Sequence, residues 1–125
     1  MSKNILIADD STTILKILSL VLRFKGHKTK VVGNGEEALL ALEKEKFDMA
    51  IIDLMMPVMD GCELLSKVKN NDKLKNIPAL VLTDANNKKM KARVLALGVK
   101  SFIEKPFQPN ELMDKVEELL DEKRF

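Results

Sequence analysis

Several short apolar runs in the chain each lead into a side chain that can do chemistry. Residues 5–8 are followed by two acids, residues 49–52 by one acid, residues 79–82 by a hydroxyl, and the run beginning at residue 101 leads into an ammonium group. In order, these side chains belong to Asp9 and Asp10, Asp53, Thr83 and Lys105. Carboxylates bind hard divalent cations, and a cation with an ammonium group beside it can neutralise a transferring phosphoryl group.

The three acids predict a magnesium site. Carboxylates brought close together repel one another unless a cation joins them, and magnesium prefers a shell of carboxylate, water and phosphate oxygens. Zinc is disfavoured because the chain has a single histidine, His27, and a single cysteine, Cys62. Asp53 stands alone after its run, so we predict that it can act as a carboxylate nucleophile and form an aspartyl phosphate.

These side chains meet only if the apolar runs form one sheet. The runs alternate with amphipathic segments, which we predict to be helices over residues 11–25, 36–44, 63–69, 87–97 and from about Asn110 onwards. With a second, weaker strand predicted over residues 29–32, the chain contains five strand–helix units in strict alternation, which indicate an α/β fold, a doubly wound parallel sheet with helices on both faces. In such sheets the functional site lies beyond the carboxyl ends of the strands. We expect residues 1–125 to form a single domain.

Composition narrows the function classes. Among 125 residues the formal net charge is +2, and tryptophan and tyrosine are absent. Near balance of charge argues against nucleic acid or an anionic membrane as the main partner. One cysteine excludes an internal disulfide framework, and no run approaches the roughly 18 apolar residues of a membrane span. We expect a soluble, cytoplasmic protein that is a monomer or a weak dimer.

Four stretches carry a resemblance to a known family: ILIADD, IIDLMMPVMDG, VLT and FIEKPF. Together they resemble the receiver domain of two-component response regulators, especially the single-domain CheY-like type, over essentially the whole chain. The resemblance implies a flavodoxin-like (βα)5 sandwich with strand order 2-1-3-4-5. It also implies a signalling phospho-acceptor, with magnesium-dependent autophosphorylation from a donor and autodephosphorylation, rather than a metabolic enzyme.

By this resemblance, Asp53 accepts a phosphoryl group from a histidine kinase or a phosphotransfer protein. Asp10, Asp53 and the backbone carbonyl of Met55 would bind Mg²⁺ directly, with help from Asp9 through water. Lys105 would pair with the phosphoryl oxygens, and the bond that joins it to Pro106 is expected to be cis.

The resemblance further implies a switch. Thr83 would donate its hydroxyl to the phosphoryl group, and Phe102 would turn inward into the space that Thr83 vacates. The change would be read by a downstream protein at the face made by the fourth helix, the fifth strand and the fifth helix. Asp84 departs from the family pattern, which has a small residue there, and we expect it to modulate phosphorylation or hydrolysis.

Other functions stay open at this level. A magnesium-dependent phosphatase with an aspartyl nucleophile typically has a second acid at the position that Met55 occupies, and it needs a cap that this chain lacks. A flavodoxin-like electron carrier would lack aromatic rings for stacking, and a docking module that takes no phosphate would not need all of these side chains. The basic run Lys88, Lys89, Lys91 and Arg93 is a solvated helix face, a protein-docking surface or, least favoured, a nucleic-acid patch.

Overall fold

The computed structural model describes residues 2–84 and 86–122, which form alternating strands and helices. The elements are β1 (Asn4–Ala8), α1 (Thr12–Phe24), β2 (Lys28–Val32), α2 (Gly35–Lys44), β3 (Met49–Asp53), α3 (Gly61–Lys69), β4 (Ala79–Asp84), α4 (Lys88–Ala96), β5 (Ser101–Lys105) and α5 (Pro109–Glu122). Every predicted element is present.

All five helices start within two residues of their predicted starts, and the differences at α3 and α5 have a local physical reason. Helix α3 begins at Gly61, two residues earlier than expected, because Asp60 accepts the backbone N–H of Glu63 at 2.8 Å and caps the helix. Helix α5 begins at Pro109, so Asn110, from about which the helix was predicted, lies inside its first turn. Proline suits the first helical position because its missing N–H would have had no partner there.

The strands form one parallel sheet in the order β2-β1-β3-β4-β5, which confirms the doubly wound prediction. Side chains alternate between two cores: Ile5 and Ile7 lie in the core beneath α1 and α5, while Leu6 and Ala8 lie in the core on the opposite face. The central strand β3 is buried along its whole length. Burial on both faces explains why β1, β3 and β4 carry continuous apolar runs rather than alternating ones.

Local signals fix where α1 begins and ends. The Ser11 hydroxyl accepts the N–H of Ile14 at 3.2 Å, which makes Ser11 the helix cap and starts α1 soon after the Asp9–Asp10 pair. Gly26 follows the helix with φ of 90°, a left-handed conformation that glycine adopts at little cost.

Within the described residues, no helix is both long and apolar enough to cross a membrane.

Candidate functional site

The acids predicted from the sequence do meet. One carboxylate oxygen from each of Asp9, Asp10 and Asp53 lies within 4.8 Å of the others, at the carboxyl ends of β1 and β3. Asp9 and Asp53 are buried, whereas Asp10 is exposed. These two strands are direct neighbours in the sheet, and this adjacency brings residues 44 positions apart into one cluster.

Lys105 reaches the cluster from β5, the strand at one edge of the sheet. Its ammonium group donates to Asp9 Oδ2 at 3.0 Å and to Asp53 Oδ2 at 3.1 Å, although β4 separates β5 from β3. The Lys105–Pro106 peptide bond is cis, as predicted. The lysine therefore bridges two buried carboxylates at the position where a negatively charged group on Asp53 would lie.

Burial and repulsion shape the protonation of the site. Burial, and next the charge of Asp9, raise the pKa of Asp53 from 3.8 to about 6, against the opposing effect of Lys105. Burial lowers the pKa of Lys105, but its bonds to Asp9 and Asp53 outweigh this effect and raise the pKa overall. With Asp10 included, three carboxylates face one ammonium group, so the cluster carries an excess of negative charge that a divalent cation would neutralise.

Backbone groups hold the two buried carboxylates in place. The N–H of Ser11 donates to Asp9 Oδ1 at 2.9 Å, and the N–H of Met55 donates to Asp53 Oδ1 at 3.3 Å. The Met55 side chain is exposed, so the backbone of this residue, rather than its thioether, faces Asp53. Both acids are thus positioned by the loops that follow their strands.

Gly61 is a site residue that sequence reasoning missed. A Cβ at this position would lie 2.6 Å from the carbonyl oxygen of Asp53 and 2.7 Å from the Cα of Leu54. The Gly61 N–H donates to the Leu54 carbonyl at 2.9 Å, which closes the loop between β3 and α3. The signal was present as an Asp-Gly pair, but from the sequence alone it indicated only a turn.

The predicted switch residues flank the cluster. Thr83 is buried, and its hydroxyl donates to the carbonyl of Asp84 at 3.2 Å. Phe102 is half-buried on β5, and Lys91 Nζ lies 5.1 Å from the centre of its ring. Asp84 is the last residue of β4, is exposed, and is the register partner of Lys105. All three lie on the β4–β5 side of the carboxylates.

The other singled-out residues lie outside the cluster. Cys62 is buried, and burial raises the pKa of its thiol. His27 follows α1 and lies at the opposite end of the sheet, where its Nδ1 accepts the N–H of Lys3 at 3.2 Å. Neither residue can contribute to the carboxylate site.

Comparison with known proteins places this geometry in a family. The model of the response regulator receiver domain matches residues 5–117, and the chain belongs to this family of two-component signalling phospho-acceptors. The chain is 38% identical to the response regulator GtcR of Aneurinibacillus migulanus over 94% of its own length and 47% of the relative. A crystal structure of a CheY-like receiver domain protein from Methanospirillum hungatei matches with a TM-score of 0.92 at 31% identity, covering 99% of this chain and 98% of that one.

Another relative is also longer than this chain. The probable transcriptional regulator ycf29 of Porphyra purpurea is 34% identical over 96% of this chain and 57% of its own length. The chain therefore spans about half the length of the curated relatives it matches. Membership of the family identifies this chain as a receiver domain. The functions of the longer relatives outside their receiver domains are properties of those proteins.

Proposed function

We propose that Asp53 is the residue of this receiver that takes the phosphoryl group. The observation that carries the proposal is a carboxylate buried to 4% exposure at the end of the central strand, with an ammonium group 3.1 Å away and two more carboxylates around it. A pKa of about 6 leaves the carboxylate mostly ionised at neutral pH, which a nucleophile requires.

In the transfer step, a carboxylate oxygen of Asp53 attacks the phosphorus of a phosphohistidine on a histidine kinase or phosphotransfer protein. The new oxygen–phosphorus bond forms as the phosphorus–nitrogen bond breaks, and the ring nitrogen keeps the electron pair and takes up a proton. Lys105 exchanges its contact with the Asp53 carboxylate for one with a phosphoryl oxygen, which stabilises the added charge. Water later cleaves the acyl phosphate and regenerates Asp53.

The carboxylates fit a magnesium ion. Asp9, Asp10 and Asp53 offer only oxygen atoms, which are the ligands that Mg²⁺ prefers, and they lie close enough to share one ion. Asp10, Asp53 and the carbonyl of Met55 would hold the ion directly, and Asp9 through water. When bound, the ion neutralises charge on the transferring phosphoryl oxygens.

The phosphoryl group changes the hydrogen bonds around it. Thr83 leaves the carbonyl of Asp84 and donates to a phosphoryl oxygen, and Phe102 moves into the vacated space. Such a shift biases an existing equilibrium between two arrangements of the face made by α4, β5 and α5. A downstream protein binds that face in the cytoplasm. The receiver acts as a monomer or weak dimer and makes no direct contact with nucleic acid or membrane.

The experiment is incubation with Mg²⁺ and acetyl phosphate followed by intact-protein mass spectrometry. We expect a gain of one phosphoryl group in the wild type, no gain when Mg²⁺ is removed by a chelator, and no gain in Asp53→Asn. Asp72→Asn is the matched control, because this acid is 96% exposed and lies away from the site. A phosphoryl gain that survives Asp53→Asn would contradict the proposal.

A further inference from the structure

The loop between β3 and α3, residues 54–60, contains a residue in a strained backbone conformation. Val58 has φ of 69°, and within the described residues it is the only residue other than glycine with a positive φ. A β-branched residue adopts this left-handed conformation only at an energetic cost. The N–H of Met59 donates to the carbonyl of Pro57 at 2.7 Å and closes a tight turn centred on Val58. Such a turn persists only where the surrounding structure holds it.

The side chain of Val58 does not hold this turn, because it is 73% exposed. The backbone of the next residue, Met59, makes a contact that can. The carbonyl of Met59 accepts the N–H of Gly35 at 3.0 Å. Gly35 is the first residue of α2, so the turn is fixed to the N-terminus of a neighbouring helix.

Gly35 and Met59 approach more closely than a side chain at position 35 would allow. A Cβ on Gly35 would lie 2.3 Å from the Met59 carbonyl oxygen and 2.9 Å from the Met59 Cβ. The φ of Gly35 is not positive, so glycine is needed here for space and not for its conformational freedom. We call this close approach, with its hydrogen bond, the Gly35–Met59 clamp.

The N-terminus of α2 is itself held in place. The Asn34 side chain accepts the N–H of Glu37 at 2.8 Å, and Glu37 Oε1 accepts the N–H of Gly33 at 3.0 Å. These two bonds cap the helix reciprocally. Ala38, in the same first turn, is fully buried in the core on this face of the sheet. Gly35 is therefore the fixed partner of the clamp, and the loop is the partner that adapts.

We propose that Gly35 is a positioning residue of the phospho-acceptor site. By holding the Met59 carbonyl, it keeps the loop in the strained turn at Val58. The same hold keeps the backbone of Met55 directed at Asp53, whose Oδ1 accepts the Met55 N–H at 3.3 Å. The inference rests on the proposed function, in which the Met55 carbonyl binds Mg²⁺. Release of the clamp lets Val58 leave the left-handed region, and the direction of the Met55 backbone changes with it.

The first test is a double-mutant cycle, measured by urea unfolding in the presence of a chelator. Val58→Gly should relieve the strain and raise the equilibrium constant for folding about three- to tenfold in the wild-type background. In the Gly35→Ala background the turn has already relaxed, so the same substitution should bring no gain. Equal effects of Val58→Gly in the two backgrounds would overturn the proposal.

Val31→Gly is the matched control for the cycle. Val31 is also an exposed valine, but its φ is not positive. Glycine there relieves no strain and adds freedom to the unfolded chain, so it should lower the equilibrium constant for folding in both backgrounds.

The second test measures the site itself in the folded protein. Gly35→Ala should shift the amide NMR signal of Met55 in the metal-free protein. It should also weaken Mg²⁺ binding in isothermal titration calorimetry about tenfold, a usual cost of losing a group that orients a metal ligand. Gly33→Ala should change neither, because its Cβ would meet only Glu37 Oε1, at 3.6 Å.

Asn34→Ala removes only the cap of α2 and gives the same comparison if Gly35→Ala does not fold. It should shift the Met55 signal and weaken Mg²⁺ binding in the same direction by a smaller factor. An unchanged Met55 signal with unchanged Mg²⁺ affinity would show that the clamp does not position the site. If the wild type binds no Mg²⁺, the proposed function fails. In that case a coupled cycle with a shifted Met55 signal supports the clamp, and the absence of either overturns it.

Discussion

Charge imbalance among a few residues explains what the site can do. Asp9 and Asp53 are buried together, and Lys105 bonds to both without fully offsetting the cost of that burial and the repulsion between the two acids, as the raised pKa of Asp53 shows. The anionic form of a buried carboxylate is destabilised. A bound cation lowers this energy, and so does conversion to an acyl phosphate whose charge Lys105 can contact. The same geometry therefore accounts for both the cation preference and the nucleophile.

At the residue scale, Asp84 should slow phosphorylation by anionic donors. Its exposed carboxylate is the register partner of Lys105, so it adds negative charge at the mouth of the site. Asp84→Asn, which keeps the shape, should raise the rate with acetyl phosphate about two- to fivefold at low ionic strength, a Coulomb effect of a few tenths to one kcal/mol. The gain should shrink with added salt because screening weakens the repulsion.

The measurement for Asp84 is the phosphorylation rate by mass spectrometry in Asp84→Asn, Asp84→Ala and the surface control Asp72→Asn. Equal gains in the first two variants assign the effect to charge, and a gain in alanine alone assigns it to size. Rates that match the wild type in both variants would show that Asp84 has no influence on the donor.

Residue types and positions predicted much of the site, because each acid follows an apolar run and parallel strands end at one edge. What the sequence could not predict are contacts that depend on three-dimensional approach. The closeness of Gly61 to the Asp53 carbonyl and of Lys91 to Phe102 arises from how α3 and α4 pack, and no spacing rule encodes it. The roles of Met55 and Asp84 remain predictions.

At the element scale, the start of α3 should control the position of Asp53. Gly61→Ala places a Cβ 2.6 Å from the Asp53 carbonyl oxygen, and neither this backbone nor that of Leu54 can yield without moving the loop. We expect a loss of about 1–3 kcal/mol in the free energy of unfolding, the usual range for overpacking, together with slower phosphorylation. Urea denaturation and acetyl phosphate kinetics measure the two effects.

Gly33→Ala is the matched control for Gly61→Ala. A Cβ at Gly33 would lie 3.6 Å from Glu37 Oε1, an ordinary contact with a flexible side chain. This variant should keep wild-type stability and phosphorylation. If the two alanine variants behave alike, close packing of Gly61 does not position Asp53.

Helix α4 should hold the ring of Phe102 through Lys91. The ammonium lies 5.1 Å from the ring centre, a cation–π contact that is worth about 0.5–1 kcal/mol when exposed. Lys91→Gln should therefore shift the equilibrium of the ring about two- to fivefold, detectable as a chemical-shift change of Phe102 in the aromatic NMR spectrum. Lys91→Arg should keep the wild-type shift, and Lys89→Gln, on the same helix, serves as the control. Identical shifts in Lys91→Gln and the wild type would contradict this role.

At the scale of the whole molecule, the alternation of strands and helices predicted the class of fold, but the strand order came from family resemblance. Alternation alone does not say where β1 lies, and the central place of β1 and β3 is what brings Asp9, Asp10 and Asp53 together. Helix ends were predicted less well than helices: α3 starts early because Asp60, interpreted as part of a turn, caps it. The signal was present in the sequence, because Asp60 is followed three residues later by Glu63, the spacing of a helix N-terminus, but it was interpreted as a turn.

The site should make the stability of the metal-free protein depend on pH. The pKa of Asp53 is raised from 3.8 to about 6, so the folded state holds this proton more tightly than the unfolded chain. The resulting stabilisation is fully present below about pH 4 and is lost as the pH rises through about 6. Wild type and Asp53→Asn should therefore be similarly stable near pH 4, and the variant should be more stable by roughly 1–3 kcal/mol at pH 7.5.

Magnesium should close that gap, because a cation that binds only the folded wild type stabilises it by mass action. Urea unfolding with a chelator or with excess Mg²⁺, at pH values from 4 to 7.5, measures both effects. We expect Mg²⁺ to stabilise the wild type at pH 7.5 but little at pH 4.5, where Asp53 is protonated, and to leave Asp53→Asn far less affected at either pH. If the difference in the free energy of unfolding between wild type and variant stays constant across this pH range, Asp53 does not have a raised pKa. The explanation of the site by burial and charge repulsion would then be wrong.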